Sequence, residues 1–271
     1  MFINSTENIH KLRAAKCFVF DMDGTICLGD TPFPCARDFI NAQMTEKDKS
    51  IAFFTNNTSK NIVYYYNKLV RMGFEVTPSQ VISSAEVTAA YLLKHRRGKS
   101  VYLVGTSYLR EALEGFGIPL TEDEPDIVLS SFDTSLTYHK LERACTYLRG
   151  GAEWLSTHPD INCPTEDGFI PDSGAINAAI AASTGLCAPR YFGKPYSETA
   201  DMLCEILGVA KSEMVIFGDR LYTDIALGKR NGILSVLVLS GETTAQMLAE
   251  AEAADLPDLV FADLGEVAGA V

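Results

Sequence analysis

The sequence predicts an α/β fold: a parallel sheet wrapped by helices, with a second, smaller α/β domain inserted. Three observations carry this expectation. Short, wholly apolar runs alternate with helix-length segments. Three of the four clearest runs stop abruptly at a polar cluster. The middle of the chain has its own strand and helix alternation, with no long linker on either side.

The first run, Cys17-Phe18-Val19-Phe20, is apolar throughout, as a central parallel strand buried on both faces should be. It stops at Asp21-Met22-Asp23-Gly24-Thr25. Residues 51–54 form the second run and stop at Thr55-Asn56-Asn57. Residues 214–217 form the third and stop at Gly218-Asp219-Arg220, and residues 235–239 run into Ser240-Gly241. Helices are expected over 59–72, ended by Gly73, over 197–207, ended by Gly208, and over 223–229. Between residues 84 and 189, strands at 101–104 and 126–129 and a helix at 138–148 define the inserted domain. The core domain is then 1–83 together with 190–271. In a sheet of this kind, polar residues at the carboxyl ends of strands gather in one crevice, and ligands bind there.

Composition narrows the function. The 271 residues carry a formal net charge of −12, so no broad cationic surface is expected and a nucleic-acid partner is excluded. No apolar run reaches the length of a membrane span. Residues 1–16 lack the apolar stretch of a signal peptide, which predicts a cytoplasmic protein. The seven cysteines are scattered with no CxxC pair, which predicts neither a disulfide framework nor a zinc site.

The polar clusters carry the chemistry. Asp21 and Asp23, one residue apart at a strand end, can both face the crevice if the chain turns at Gly24. Such a pair suits a hard cation that prefers oxygen ligands, and it can divide labour between attack and proton movement. The bland alternative is a turn with solvated acids. Thr55 and Asn56 offer a hydroxyl and an amide to phosphate oxygens, or the segment through Ser59 simply caps a helix. Asp219 follows its strand as Asp21 follows the first, and is a natural further metal contact. Asp224 is either its partner or a charge at a helix start. Lys194, between Gly193 and Pro195, is a surface charge taken alone, but several acids near a phosphate need positive charge nearby.

Taken together and in this order, Asp21 to Thr25, Thr55, Lys194 and Asp219 with Asp224 resemble the four motifs of the haloacid dehalogenase superfamily of phosphatases. The insertion between the second and third motifs resembles the subfamily with a large α/β cap, which includes NagD-type and p-nitrophenyl phosphatases. Thr55-Asn56-Asn57, Phe132-Asp133 and His158-Pro159-Asp160 followed by Gly168 add to the match. The resemblance implies a Rossmann-like core, with Asp21 as nucleophile and Asp23 as general acid and base. It implies Mg²⁺ held by Asp21, the Asp23 carbonyl and Asp219, with Asp224 close by. Thr55, Asn56 and Lys194 would bind the phosphoryl group of a small phosphorylated substrate. A homodimer through the cap belongs to the same implication. One departure is Asp172, where related chains often carry glycine; it either changes the selectivity of the cap or occupies a surface turn, and the turn is the favoured expectation. Two other functions remain open: a phosphotransferase or mutase on the same fold, and a phospho-accepting signalling module without turnover. The chain length and the insertion disfavour the second.

Overall fold

A computed structural model describes residues 4–46, 48–165 and 168–271. The chain forms two compact units. The first comprises Met1–Phe54, Tyr65–Ile82 and Lys194–Val271, and the second Thr55–Tyr64 and Ser83–Gly193. Strands follow in chain order. β1 (Cys17–Phe20), the short pair β2 (Cys27–Leu28) and β3 (Thr31–Pro32), β4 (Ser50–Thr55) and β5 (Val81–Ser83) come first. β6 (Val101–Val104), β7 (Ile127–Ser130), β8 (Glu153–Ser156), β9 (Asn162–Thr165), β10 (Gly168–Pro171) and β11 (Arg190–Tyr191) follow. β12 (Met214–Gly218), β13 (Leu234–Val238) and β14 (Leu259–Phe261) complete the set.

The first unit is built on a six-stranded sheet in the order β14-β13-β12-β1-β4-β5. β1 lies between β12 and β4 and is parallel to both, with Phe20 level with Phe217 on one side and Phe53 on the other. All four β1 residues are buried, which explains why this strand reads as continuously apolar. Phe20 stacks on Phe217 at 4.6 Å between ring centroids, and Phe18 meets Phe217 edge-on at 5.2 Å. Burying each such ring contributes roughly 1.5–3 kcal/mol. The ends of β1 and β12 are therefore held in fixed register by the core beneath them. That register fixes where the residues immediately beyond them begin.

The second unit has a parallel sheet in the order β11-β8-β7-β6 and an antiparallel hairpin of β9 and β10. Helices Tyr138–Arg149 and Ser173–Thr184 pack on this sheet through Ala144, Leu148, Ile176 and Ile180, against Tyr102, Val128 and Trp154. The mixed α/β architecture expected from the alternation is the one adopted. No helix among the described residues is long and apolar enough to cross a membrane. All seven cysteines are free thiols.

Three local expectations differ. The helix expected from residue 59 starts at Ile62. Asn57 uses its side chain to bind the Ser59 N–H in a local turn, and Asn61 instead accepts from the Tyr64 N–H at the helix start. The helix expected over 223–229 opens with a π-helical turn at Leu221–Ile225 and becomes α-helical only over Ala226–Asn231. Asp172 is not at a surface turn: it is 3% exposed and caps helix Ser173–Thr184, its carboxylate accepting from the Ser173 N–H. Its carboxylate also lies 3.5 Å from Nε2 of the buried His158.

Candidate active site

Asp21 is the first residue past β1, and its N–H donates to the Phe217 carbonyl at 2.9 Å, which ties it to the end of β12. Asp219 follows β12 directly, and Asp224 lies in the π-helical turn beyond it. One carboxylate oxygen from each of Asp21, Asp219 and Asp224 lies within 4.8 Å of the others. Lys194 closes this group. Its ammonium contacts the Asp21 carboxylate directly and lies 2.6 Å from Asp224 Oδ1. Lys194 is 3% exposed, and its Nζ also sits 5.4 Å above the Phe54 ring.

Asp219 is fixed from several sides. Its Oδ2 accepts from the Glu242 N–H at 2.7 Å, and its Oδ1 lies 3.4 Å from the Thr25 hydroxyl. Glycines make room for it. A Cβ on Gly24 or on Gly241 would collide with the Asp219 carboxylate, and a Cβ on Gly218 would collide with Asp224. Gly24 also has φ +89°, a conformation L side chains rarely adopt, so the turn expected there is real and needs glycine.

The electrostatics are those of an acid cluster short of positive charge. Asp21 is pushed up to about 8, chiefly by burial and further by Asp224 and Asp219, against the opposing pull of Lys194. Asp219 is likewise pushed up to about 6, by burial first and then Asp224, with the Glu242 N–H, Arg220 and Lys194 opposing the rise. For Lys194, burial works against the charge, but Asp21 and Asp224 outweigh it and hold the ammonium above its ordinary range. Three carboxylates face the Lys194 ammonium, and the Arg220 guanidinium adds a second positive charge that acts on Asp219 and Asp21. An oxygen-only donor set with unbalanced negative charge fits a hard divalent cation, and Asp21, Asp219 and Asp224 are the residues to hold it.

The structure thus brings Asp21, Lys194, Asp219 and Asp224 together. Asp23 is not part of that group and makes other contacts: Oδ1 lies 3.4 Å from Lys68 Nζ and 3.7 Å from Cys27 Sγ. Thr55 ends β4 and groups with the second unit, its hydroxyl accepting from the Asn57 N–H at 3.1 Å. Asn56 donates its side-chain amide to both oxygens of Asp160, at 3.1 and 3.2 Å, and its carbonyl accepts from the Ser84 hydroxyl.

Sequence reasoning passed over Lys68 and Gly241. Lys68 had a signal, since it shares a helical stripe with Tyr65, Leu69 and Met72, all buried, where a solvated lysine does not belong. Gly241 had none, because only the fold shows that Asp219 lies against it.

Comparison with known proteins places this geometry. Residues 18–119 match the family model described as haloacid dehalogenase-like hydrolase, and residues 191–267 match a second, HAD-hydrolase-like model. The acid sugar phosphatase of Staphylococcus aureus is 34% identical over 256 residues, 94% of this chain and 97% of its own length. The crystal structure of 4-nitrophenylphosphatase from Thermotoga maritima superposes with a TM-score of 0.91 at 44% identity, covering 96% of this chain and 98% of the other. Glycerol phosphate phosphatase from Mycobacterium tuberculosis, solved in complex with magnesium, superposes with a TM-score of 0.85 at 29% identity over 94% of this chain and 76% of its own. The chain belongs to the haloacid dehalogenase-like hydrolase family and is one of its phosphatases.

Proposed function

We propose that this enzyme is a Mg²⁺-dependent phosphatase that hydrolyses a small phosphorylated metabolite in the cytoplasm, through a phosphoryl group carried on Asp21. The observation that carries the reading is the convergence of two buried carboxylates, Asp219 and Asp224, the partly buried Asp21 and one buried ammonium at the ends of β1 and β12. A carboxylate attacking a phosphate dianion meets like charge, and a bound divalent cation supplies the charge that removes much of this repulsion. Asp21, Asp219 and Asp224, with the Asp23 carbonyl, are the groups to hold it.

In the first step an Asp21 oxygen forms a bond to phosphorus while the bond from phosphorus to the leaving oxygen breaks. Asp23 donates a proton to that oxygen. In the second step water forms the new bond to phosphorus, its proton passes to Asp23, and the bond to Asp21 breaks, releasing inorganic phosphate. Lys194, Thr55 and Asn56 bind the phosphoryl oxygens. The inserted domain, residues 84–189, selects the leaving group, for which sugar phosphates and p-nitrophenyl phosphate are the first classes to examine. They are the substrates in the names of two of the relatives.

The test is hydrolysis of p-nitrophenyl phosphate with Mg²⁺ and with chelator, beside Asp21→Asn. Turnover that needs Mg²⁺ and disappears in Asp21→Asn is expected, with an acid-stable, hydroxylamine-sensitive phosphoenzyme in wild type only. Full turnover in chelator, or in Asp21→Asn, overturns the proposal.

A further inference from the structure

Lys68 is a buried cation outside the carboxylate cluster: burial opposes its charge, but Asp23, with Asp30 adding to it, holds the ammonium above its ordinary pKa. It lies on helix Ile62–Arg71 within the core-facing stripe and is 8% exposed. Its nearest acids are Asp23, whose side chain is 41% exposed, and Asp30, at 3.9 Å and 78% exposed. Stripping water from an ammonium is unfavourable, so the charge at this position depends on Asp23, its closest acid. A core position on this stripe would ordinarily hold a leucine or methionine.

The geometry around Asp23 supplies a reason. The Lys68 ammonium and the Cys27 thiol both address Oδ1 of Asp23, at 3.4 and 3.7 Å. Cys27 is itself placed by a backbone bridge to Asp23, and the Gly24 N–H donates to the Cys27 carbonyl at 2.7 Å. A half-exposed aspartate without such contacts samples several side-chain orientations. The thiol's one proton is shared with the Met22 carbonyl, also 3.7 Å from Sγ, so the Lys68 ammonium is the donor that selects the orientation, and Oδ2 is then the oxygen left to carry the transferable proton.

We infer that Lys68 is a positioning residue for proton transfer by Asp23: it grips Oδ1 from the core side so that Oδ2 is presented to the leaving oxygen. The inference rests on the proposed reading of Asp23 as general acid and base. Lys68 exchanges no proton itself. In phosphoryl transfer to Asp21 the proton leaves Asp23 Oδ2 as the phosphorus–oxygen bond of the substrate breaks, and in hydrolysis a water proton returns to the same oxygen. The ammonium holds Oδ1 through both steps.

Leaving-group dependence isolates this role. The parameter kcat/KM reports events up to departure of the leaving group. p-Nitrophenolate leaves readily without a proton, whereas phenolate, whose hydroxyl ionises near about 10 as tyrosine's does, depends on the acid. The experiment measures kcat/KM for p-nitrophenyl phosphate and for phenyl phosphate at saturating Mg²⁺, in wild type, Asp23→Asn, Lys68→Met and Lys68→Arg. The ratio of the two values cancels the fraction of correctly folded enzyme, so a poorly folding variant still reports.

Asp23→Asn is expected to lose on the order of 100-fold more on phenyl phosphate than on p-nitrophenyl phosphate. Lys68→Met is expected to follow in the same direction by roughly tenfold, a part of the whole acid effect, with Lys68→Arg restoring most of the ratio. Discrimination by Asp23→Asn but an unchanged ratio in Lys68→Met overturns the role of Lys68 and leaves Asp23 in place. An unchanged ratio in Asp23→Asn overturns the reading of Asp23 itself, and the inference falls with it.

Discussion

Replacing Lys194 with methionine in metal-free protein removes the ammonium that contacts Asp21 and Asp224 while nearly preserving side-chain volume, and leaves the Arg220 guanidinium near Asp219. The lost contacts are to Asp21 and to Asp224 Oδ1 at 2.6 Å. At an effective dielectric of about 20, one contact at that distance is worth roughly 6 kcal/mol of Coulomb attraction. Desolvation of the ammonium offsets much of this, and breaking a buried pair costs about 3–5 kcal/mol. Proton uptake by Asp21, already pushed up to about 8 by burial, limits the penalty near neutral pH. The expected loss is therefore about 3 kcal/mol at pH 7, and larger at pH 9, where wild-type Asp21 is ionised beside Lys194 but the variant must keep it protonated or ionise it unpaired.

Hydrogen exchange of the β1 and β12 amides in chelator reads this loss directly. Trp154, the one tryptophan, lies in β8 of the second unit, so its fluorescence serves as an internal control and should move little. Combining Lys194→Met with Asp224→Asn should cost less than the sum of the two single changes, because the second removes a charge that the first has stranded. A cost below about 1 kcal/mol in β1 and β12, or strict additivity of the pair, would refute the electrostatic account.

Other outcomes follow from the same geometry. Gly24→Ala should lower kcat/KM at least about tenfold and raise the Mg²⁺ concentration for half-maximal rate, since a methyl there displaces the Asp219 carboxylate; a Mg²⁺ titration of activity checks both. Asp258 is half-buried: burial opposes its charge, but the Lys229 ammonium at 2.7 Å and the Ser235 N–H and hydroxyl, each at 2.9 Å, hold its pKa below the ordinary value. Its folded pKa is depressed, so it stabilises the fold above about pH 4 and loses that contribution as pH falls through the folded value. Urea midpoints between pH 7 and 3 should fall less steeply in Asp258→Asn. In the second unit, Gly193→Ala should cost about 1–3 kcal/mol in thermal unfolding followed by Trp154, because φ is +79° and the new Cβ would sit 2.6 Å from Asn56 Oδ1. An unchanged melting curve would show that the loop yields freely.

Legibility in the sequence tracked burial. β1 and β12 are legible because both faces of each are covered, so apolar runs end sharply where the chain leaves the sheet, at Asp21 and Asp219. Asp224 and Lys194 are legible as candidates from residue type and spacing, but their 2.6 Å contact joins different strand ends and needs the fold. The start of helix Ile62–Arg71 is hard to read because Asn57, Ser59 and Asn61 all suit a cap and local hydrogen bonds decide among them. The Asn56–Asp160 pairing, 104 residues apart, leaves no local trace. Asp172 misleads because Pro171-Asp172-Ser173-Gly174 has turn composition, whereas its neighbours bury it as a helix cap. Lys68 is readable only by asking why a cation sits on an apolar stripe.

The central position of β1 also governs how the chain matures. Its flanking residue Lys16 pairs with Glu213, 197 residues downstream, through both backbone and side chain. A nascent chain leaving the ribosome therefore exposes Phe18 and Phe20 long before β12 exists to cover them, whereas Ser83–Gly193 is continuous and can collapse as soon as it emerges. The catalytic corner is accordingly among the last parts to assemble. Chains truncated before residue 214 would present a sticky half-sheet, a natural target for chaperone capture or degradation.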